Sequence, residues 1–412
     1  MMKVLRRSRG LARLAATLTV GVAGVAASAS AQAQAQGQGT WIVVQSRVVA
    51  SWGSNTYGQL GDGTTAGRSQ YGDIRVGNDV VQVAAGLVHA LAVRSDGTVW
   101  AWGSNEQGEL GDGTQTDRST PVQVAGLTGI TQVAAGKEFS VALRSDGTVW
   151  AWGENSHGQL GRGTATNHEA TPARVAVLNR VTKISAGGDF GLALRSDGIV
   201  FAWGRGGQGQ LGNGGTADSP APVKIAGLSR VTGISAGWDA ALATENDGVS
   251  ALTSVWAWGA NDYGELGDGT TARHVTPERV TGLPAYVAGI SAGGMFAAVL
   301  GTDGSVWDWG TNEFGELGVA PVSTVPVTRP ANAIAAGSGI TRLSAGYAHM
   351  LALKSDGTVW AWGDNESGQL GRGTVTAVGG PAPVTGLASV TQVSTGWQSS
   401  YAVHTVPYLV GL

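Results

Sequence analysis

Short apolar runs recur along most of the chain, and glycine-rich polar segments separate them. Residues 130–134, 140–143 and 149–152 form three such runs, and each run predicts a β-strand. Asp146-Gly147 lies between the last two runs and supplies the positive φ angles that a tight hairpin turn needs. Residues 121–124 predict a fourth, short strand. The pattern therefore predicts four antiparallel strands joined by tight turns.

Each predicted strand has apolar or small residues on both of its faces. In residues 149–152, Trp150 and Trp152 share one face and Ala151 occupies the other. A face of large side chains can pack on the small face of a neighbouring twisted sheet. Strands of the Ala-Ala-Gly type suit the centre of a ring of sheets, where the least room is left. This patterning predicts sheets that pack between other sheets, with no face left to water.

Three sequence elements recur together seven times. The dipeptide Trp-Gly recurs at spacings of 50, 50, 51, 55, 51 and 53 residues, with its tryptophan at Trp52, Trp102, Trp152, Trp203, Trp258, Trp309 and Trp362. Each Trp-Gly is followed by Gly-(Gln/Glu)-Leu-Gly, and each copy contains a small-small-Gly element such as Ala84-Ala85-Gly86. Four strands in a unit of about 50 residues is the organisation of a β-propeller blade.

Residues 92–111 contain Ser-Asp-Gly-Thr-Val-Trp-Ala-Trp-Gly followed by Gly-Glu-Leu-Gly, and they closely resemble the regulator of chromosome condensation (RCC1) repeat. The resemblance extends from Arg47 to Thr405. It implies an all-β fold, a closed seven-bladed β-propeller with four antiparallel strands in each blade.

A propeller must join its last blade to its first, because unpaired sheet edges would otherwise remain. Residues 390–395 and 399–405 match the first two strands of a blade, and residues 48–52 match a third strand. The seventh blade is therefore predicted to take two strands from each terminus. Residues 41–44 also match a second strand; we favour residues 401–403 for that place and expect residues 41–44 to form an added edge strand or a displaced arm. The propeller is predicted to span residues 41–405, followed by a tail of residues 406–412.

The residues just after each small-small-Gly glycine differ from copy to copy, whereas the repeated elements hardly change. Their turns are predicted to lie at the same end of the blades as the Gly-x-Leu-Gly loops, around the mouth of the central channel. Large aromatic side chains at such a place dominate binding interfaces. The predicted binding residues are Leu87, Val88, His89, Lys137, Glu138, Phe139, Asp189, Phe190, Trp238, Asp239, Met295, Phe296, Tyr347, His349, Trp397 and Gln398. For the three phenylalanines we favour a role in plugging the blade end, and for the two histidines a role in the turn.

The first 31 residues have the order of a secretory signal peptide. Five basic residues precede an apolar run over residues 14–27, and small-x-small cleavage sites follow at Ala27-Ser28-Ala29 and Ala29-Ser30-Ala31. The Arg6-Arg7 pair leaves the twin-arginine export route open, and a retained anchor is an alternative. Residues 32–40 predict a flexible linker. We expect a secreted or periplasmic protein with no membrane attachment after cleavage.

The charge balance argues against nucleic-acid binding. Without the five basic residues of the signal segment, 21 of the 26 Lys+Arg remain against 29 Asp+Glu, a net charge of about −8. An acidic protein is a poor ligand for phosphates. The chain has no cysteine, so its stability must come from the core and from ring closure.

No motif of a known catalytic or metal site is apparent in the sequence. The six histidines make no His-Glu-x-x-His or other tight ligand spacing. Asp62 and its equivalents recur in Gly-Asp-Gly-Thr, but Arg162 and Asn213 take that place in other copies, which favours a turn over a calcium site. Asp308 interrupts the usual Trp-Ala-Trp pattern, and we expect it at a tolerated outward position. We predict no cofactor, no metal and no enzymatic activity.

The leading functional prediction is a monomeric, secreted protein-binding module, an inhibitor or an adhesin, with a glycan as the alternative ligand. The family resemblance also implies guanine-nucleotide exchange, but the signal peptide argues against it because small GTPases lie on the other side of the membrane. A third class is an extracellular glycan hydrolase or lyase. Glu138, Asp189 and Asp239 are the acids at the predicted channel mouth that would serve such an enzyme.

Overall fold

A computed structural model describes residues 41–77, 79–250, 252–319 and 321–411, which contain 28 β-strands. The predicted signal peptide and linker lie outside these residues. Within the described ranges there is no helix, and therefore none long and apolar enough to cross a membrane. The first fourteen strands are β1 (Trp41–Gly53), β2 (Arg68–Ile74), β3 (Val80–Ala85), β4 (His89–Arg94), β5 (Val99–Gly103), β6 (Arg118–Gln123), β7 (Ile130–Ala135), β8 (Phe139–Arg144), β9 (Val149–Glu154), β10 (His168–Arg174), β11 (Val181–Ala186), β12 (Phe190–Arg195), β13 (Val200–Gly204) and β14 (Ser219–Lys224). The remaining strands are β15 (Val231–Ala236), β16 (Ala240–Asn246), β17 (Thr253–Gly259), β18 (His274–Val280), β19 (Val287–Ala292), β20 (Phe296–Gly301), β21 (Val306–Asn312), β22 (Ser323–Ile334), β23 (Ile340–Ala345), β24 (His349–Lys354), β25 (Val359–Asp364), β26 (Val378–Pro383), β27 (Val390–Thr395) and β28 (Ser399–Gly411).

These strands pair into seven four-stranded antiparallel sheets. Blades 1 to 6 each consist of four consecutive strands, from β3–β6 in blade 1 to β23–β26 in blade 6. Blade 7 combines β27 and β28 with β1 and β2 from the other end of the chain. The first strands of successive blades contact one another around the ring, and β3 contacts both β7 and β27. The predicted seven-bladed β-propeller is thereby confirmed.

Blade 2 shows how the sequence pattern becomes a sheet. Its first three strands coincide with the three predicted apolar runs. In the hairpin between β8 and β9, Asp146 accepts hydrogen bonds from the backbone N–H of Thr148 at 3.0 Å and from its hydroxyl at 2.6 Å. The fourth strand predicted for this blade, residues 121–124, belongs to the preceding blade. Residues 121–123 lie in β6, which pairs with β5 of blade 1, whereas β10 completes blade 2.

The first strand of every blade lines the central channel. Gln82 of β3 donates from Nε2 to the carbonyl of Val133 in β7 and accepts from the N–H of Val133 through Oε1, both at 2.9 Å. The alanine and glycine residues at the ends of these strands surround a cavity of about 140 Å³. The small-small-Gly strands lie innermost, as their size predicts.

The tryptophan of each Trp-Gly dipeptide joins neighbouring blades. Trp102 is fully buried, and its Nε1 donates to the carbonyl of Gln59, in the Gly-x-Leu-Gly loop of the preceding blade, at 2.7 Å. The equivalent bond forms at all seven blade interfaces, at 2.7 to 2.9 Å. A Cβ at Gly61, which ends that loop, would lie 2.9 Å from the indole of Trp102. The two most constant motifs therefore meet across every interface and serve as scaffold.

Blade 7 closes the ring with strands from both ends of the chain. In β27 and β28, Val393 lies opposite Ala402, and in β1 and β2, Ala50 lies opposite Asp73. Residues 401–403 therefore supply the second strand of this blade, as favoured. Residues 41–44 form the start of β1 and not a strand of their own, so that expectation was wrong. The outer parts of β1 and β28, residues 41–47 and 405–411, belong to a compact unit distinct from residues 48–404.

Asp308 occupies the alanine position of β21 and is fully buried, so the expected outward position was wrong. The reason is that both faces of a third strand are covered by neighbouring blades. Neither carboxylate oxygen has a hydrogen-bond partner among the described residues. Burial holds the pKa of Asp308 well above its ordinary value, and the nearby carboxylate of Glu316 adds to this effect.

Candidate binding rim at the channel mouth

The turns between the first and second strands of the blades surround one mouth of the central channel. In each blade, the backbone N–H that follows Trp-Gly donates to a carbonyl in this turn, as Ser104 does to Val88 at 3.0 Å. A Cβ at Gly103 would lie only 2.4 Å from the same carbonyl oxygen, so the close approach needs glycine. The turns therefore share one end of the blades with the Gly-x-Leu-Gly loops. We call these turns, with the residue after each Trp-Gly, the rim.

Three aromatic side chains of the rim form a continuous row. The ring centroids of Trp238 and Tyr347 are 5.7 Å apart at an interplanar angle of 81°, and those of Tyr347 and Trp397 are 5.7 Å apart at 76°. Both contacts are edge-to-face, the geometry that aromatic quadrupoles favour. Blade 5 lies between the blades of Trp238 and Tyr347, and it has Gly294 at the equivalent position. A Cβ at Gly294 would lie 2.6 Å from Cδ2 of Tyr347, so the absence of a side chain there leaves room for the tyrosine ring. Trp397 is 40% exposed and the other two rings are half-buried. We call these three residues the aromatic row.

Five of the predicted binding residues are buried inside the blades, where a partner cannot reach them: Phe139, Phe190, Phe296, His89 and His349. Each is the first residue of a second strand. His89 Nε2 lies 3.0 Å from the hydroxyl of Ser140 in the next blade, and burial lowers the pKa of this histidine to about 3. These side chains belong to the scaffold, as we favoured for the phenylalanines. At the rim, Leu87, Val88, Lys137, Glu138, Asp239, Met295 and Gln398 are half-buried.

The acids of blades 2 and 3 come together in what we call the acidic pocket, formed by Glu138, Glu154 and Asp189. Asp189 is only 9% exposed, and its pKa is raised first by burial and then by the carboxylate of Glu154. Burial also raises the pKa of Glu138; the Lys137 ammonium opposes this effect and Glu154 reinforces it. Three carboxyl groups thus share one partly enclosed part of the rim.

Arg205 lies between the acidic pocket and the next blade. Its guanidinium is 3.8 Å from the carboxylate of Asp189 and 3.6 Å from that of Asp239. Asp239 also accepts a hydrogen bond from Nε2 of Gln210 at 2.8 Å, while burial raises its pKa. The structure therefore brings Glu138, Asp189 and Asp239, which were predicted from separate repeats, into one charged cluster.

A sequence profile of the RCC1-like domain matches residues 48–402. The chain belongs to the RCC1-like domain family. Human E3 ubiquitin-protein ligase HERC2 is 33% identical over 234 residues, which are 55% of this chain and 5% of HERC2. The ultraviolet-B receptor UVR8 of Arabidopsis thaliana is 31% identical over 238 residues, which are 57% of this chain and 53% of the receptor. The matched segment thus spans little more than half of UVR8 and a small part of HERC2.

Solved structures share this RCC1-like fold. Human WBSCR16 superposes with a TM-score of 0.76 at 24% identity, covering 87% of this chain and 98% of that one. Yeast RCC1 (Prp20), solved with Kap60 bound to it, gives a TM-score of 0.76 at 24% identity and covers 90% of both chains. A structure of Prp20p from Saccharomyces cerevisiae, a protein that binds Gsp1p and histones, gives a TM-score of 0.75 at 24% identity and covers 90% of this chain and 92% of that one. At this level of identity the likeness shows the fold alone.

Two charged residues of this RCC1-like rim, Glu154 and Arg205, were not among the predicted binding residues. Both directly follow a Trp-Gly dipeptide, and their counterparts are Ser54, Ser104, Ala260, Thr311 and Asp364. That position varies between repeats as strongly as the turns do. Comparing it across the seven copies would have identified both residues. Within the ranges that the structure describes, no group of three or more histidine, aspartate or glutamate residues is arranged to hold a metal ion.

Proposed function

We propose that this RCC1-like propeller is an exported module that binds a protein partner through its rim. The observation that carries the proposal is the aromatic row, which is partly exposed beside a charged cluster on an otherwise repetitive scaffold. Tryptophan and tyrosine are enriched among the residues whose truncation weakens protein interfaces most, and they bury much area with few rotatable bonds. Mutual edge-to-face contacts hold the rings in place, so less side-chain entropy is lost on binding.

Two further observations support this proposal. Yeast RCC1 has been solved with Kap60 bound to it, which supports a protein as the ligand class for a propeller of this fold. The basic and then apolar N-terminal segment with small-x-small sites supports export to the periplasm or the medium. We propose that the protein acts as a monomer whose rim is accessible to the partner.

The test is a triple variant, Trp238→Ala, Tyr347→Ala and Trp397→Ala, used as bait beside the unchanged protein for capture from culture supernatant. The variant is expected to fold normally and to lose the captured partner, because truncating a central aromatic residue typically weakens binding by 2 kcal/mol or more, roughly thirtyfold. Tyr286→Ala, which removes an exposed ring outside the rim, is the control and should capture normally. Equal capture by the triple variant would refute the proposal.

A glycan-acting hydrolase or lyase is the second candidate, and the clustering of Glu138, Asp189 and Asp239 favours it. Burial raises the pKa of each of these acids, which is the property of a general acid. A glycan-binding screen followed by a hydrolysis assay tests it. Turnover that Asp239→Asn abolishes would establish the enzyme, and turnover that this variant leaves intact would exclude Asp239 from the chemistry.

Guanine-nucleotide exchange is suggested by family membership, and the fold likeness to yeast RCC1 supports it. The predicted signal peptide opposes it, because it would separate the protein from cytosolic GTPases. Release of a fluorescent guanine nucleotide from a panel of small GTPases, measured with and without the protein, tests this alternative. Acceleration with any member of the panel would favour exchange over the proposed extracellular role.

A further inference from the structure

We infer that the acidic pocket of Glu138, Glu154 and Asp189 receives a cationic side chain, a lysine or an arginine, from the protein partner. This inference rests on the proposed function, because it assigns a chemistry to one part of the same rim. It concerns the charged part of the rim, whereas the proposed function rests on the aromatic row.

The pocket contains a buried hydrogen-bond acceptor with no donor. Among the described residues, no donor lies within hydrogen-bonding distance of Oδ1 of Asp189, which is buried. Glu154 shares a side-chain hydrogen bond with Glu138, whose raised pKa allows its carboxyl group to donate. The hydroxyl of Ser156 donates a hydrogen bond to Oε1 of Glu154 at 2.8 Å. Buried polar atoms are nearly always paired in folded proteins, so the unpaired oxygen of Asp189 calls for a donor.

The protein's own cations do not supply that donor. The ammonium of Lys137 is 3.7 Å from the carboxylate of Glu138, and the guanidinium of Arg205 is 3.8 Å from that of Asp189, both beyond hydrogen-bonding distance. Arg205 is also shared with Asp239. The nearby His157 is engaged at 2.7 Å by Asp218. The pocket therefore keeps an excess of acidic groups beside the unpaired oxygen of Asp189.

The arrangement of the three carboxyl groups favours a long cationic side chain over a bare ion. The three carboxylates do not converge as a metal-binding group. A guanidinium carries five N–H donors spread over a plane, and an ammonium carries three, so either can serve separated acceptors at once. Charge-assisted hydrogen bonds of this kind are among the strongest at protein interfaces.

The pocket also lies where a partner on the aromatic row would reach it. The backbone N–H of Lys137 donates to the carbonyl of Gly188 at 2.9 Å, and the N–H of Gly188 donates to the carbonyl of Trp238 at 2.9 Å. The turns that carry the pocket and the first ring of the row are thus joined through backbone hydrogen bonds. A partner that contacts Trp238 can place a neighbouring basic residue over the carboxylates.

A peptide titration of the full chain tests the inference. The probe is a pentapeptide of four glycines around a central arginine, capped at both ends so that arginine carries its only charge. The matched control contains citrulline, which has the same shape without the charge, and a third peptide contains lysine. Binding is followed by NMR at low salt. The arginine peptide should shift the backbone amides of Glu138, Glu154 and Asp189 and bind about tenfold more tightly than the citrulline peptide, the factor that one charge-assisted hydrogen bond provides.

Two single variants locate the effect. Glu154→Gln and Asp189→Asn should each remove most of the tenfold preference, and circular dichroism checks that each is folded. Glu278→Gln removes one negative charge from an exposed position of β18 and should leave the preference unchanged. Equal binding of the arginine and citrulline peptides, or an unchanged preference in both pocket variants, would overturn the inference.

The outcomes separate this inference from the proposed function. If the aromatic-row variant loses the captured partner while Glu154→Gln and Asp189→Asn capture it fully, the rim is the interface but the cationic contact is wrong. If the pocket discriminates between the peptides but the aromatic-row variant still captures the partner, the pocket chemistry stands and the proposed interface falls.

Discussion

Seven copies of one unit allow each residue to be compared with six counterparts in the same environment. At the alanine position of the third strand, the counterparts of Asp308 are Ala101, Ala151, Ala202, Ala257, Ala361 and Ser51. At the second position of Gly-x-Leu-Gly, Glu109, Glu265 and Glu316 have the glutamine counterparts Gln59, Gln159, Gln210 and Gln369. All of these sites are nearly or fully buried. A buried carboxyl group at a position where other blades have a neutral residue is therefore expected to lower the free energy of unfolding.

Replacement of Asp308 by alanine is expected to stabilise the fold by about 1–3 kcal/mol, because it removes a buried polar group without a partner. The gain should grow as the pH rises above about 4. In that range the unfolded chain ionises the carboxyl, whereas the raised pKa keeps it protonated in the folded state, so the unchanged protein loses stability with rising pH. Urea unfolding between pH 4 and pH 8 measures both effects. A less stable variant would show that the carboxyl has a partner the structure does not reveal.

Glu109→Gln combined with Glu265→Gln is expected to flatten the dependence of stability on pH. Burial raises the pKa of each glutamate to about 7, against an ordinary value of 4.5. Each site therefore loses stability as the pH rises from 4.5 to 7, on the order of 3 kcal/mol, and the loss is complete above that range. Glutamine keeps the accepting oxygen, as Gln59 does for the N–H of Tyr57 at 2.9 Å.

The reverse change is the control for this pair. Gln159→Glu should introduce the same loss between pH 4.5 and pH 7, because Gln159 is fully buried and accepts the equivalent backbone N–H at 2.9 Å. Thermal unfolding midpoints across this range measure the slope. If the midpoints of the unchanged protein and of all the variants depend on pH in the same way, the pH dependence does not arise from this position.

At the scale of strands and turns, the sequence was sufficient to predict the strands of the blades but not to predict which side chains form the binding rim. The Asp-Gly turns and the apolar runs act locally, so each repeat specifies three of its strands without reference to the rest of the chain. The fourth strand was placed in the wrong copy because the first strand of the next blade follows it in sequence, whereas it pairs with the third strand of its own, preceding blade.

The rim shows why side-chain direction was harder to predict. Second strands such as β4 and β8 are buried on both faces, so their sequences have no alternation of apolar and polar residues from which to infer direction. The first residue of each, His89 or Phe139, therefore looked like part of the exposed turn. The acidic pocket combines residues of two blades and two loop positions, and only the packing of blade 2 against blade 3 brings Glu154 beside Asp189.

At the scale of the whole molecule, stability depends on closing the ring, since the chain has no cysteine and hence no disulfide. Blade 7 holds the two ends of the chain together through side chains as well as strands. The hydroxyl of Tyr401 donates to the carbonyl of Gln59 at 2.6 Å, the same carbonyl that accepts from Trp102 of blade 1. On the other side, Trp52 donates to the carbonyl of Gln369 in blade 6 at 2.8 Å. Residues from both termini therefore form the last two blade interfaces.

Two truncations test which terminus the ring requires. Deletion of residues 1–44 leaves residues 48–53 of β1 in blade 7, and we expect the protein to unfold cooperatively at nearly the same midpoint. Truncation after Gln398 removes β28, which leaves β27 and β1 with unpaired edges and removes the Tyr401 hydrogen bond. That chain is expected to lose cooperative thermal unfolding and to aggregate, as measured by circular dichroism and size-exclusion chromatography. The opposite pattern, with the first deletion unfolded and the second intact, would show that residues 41–44 supply the second strand, because only one segment can occupy that place.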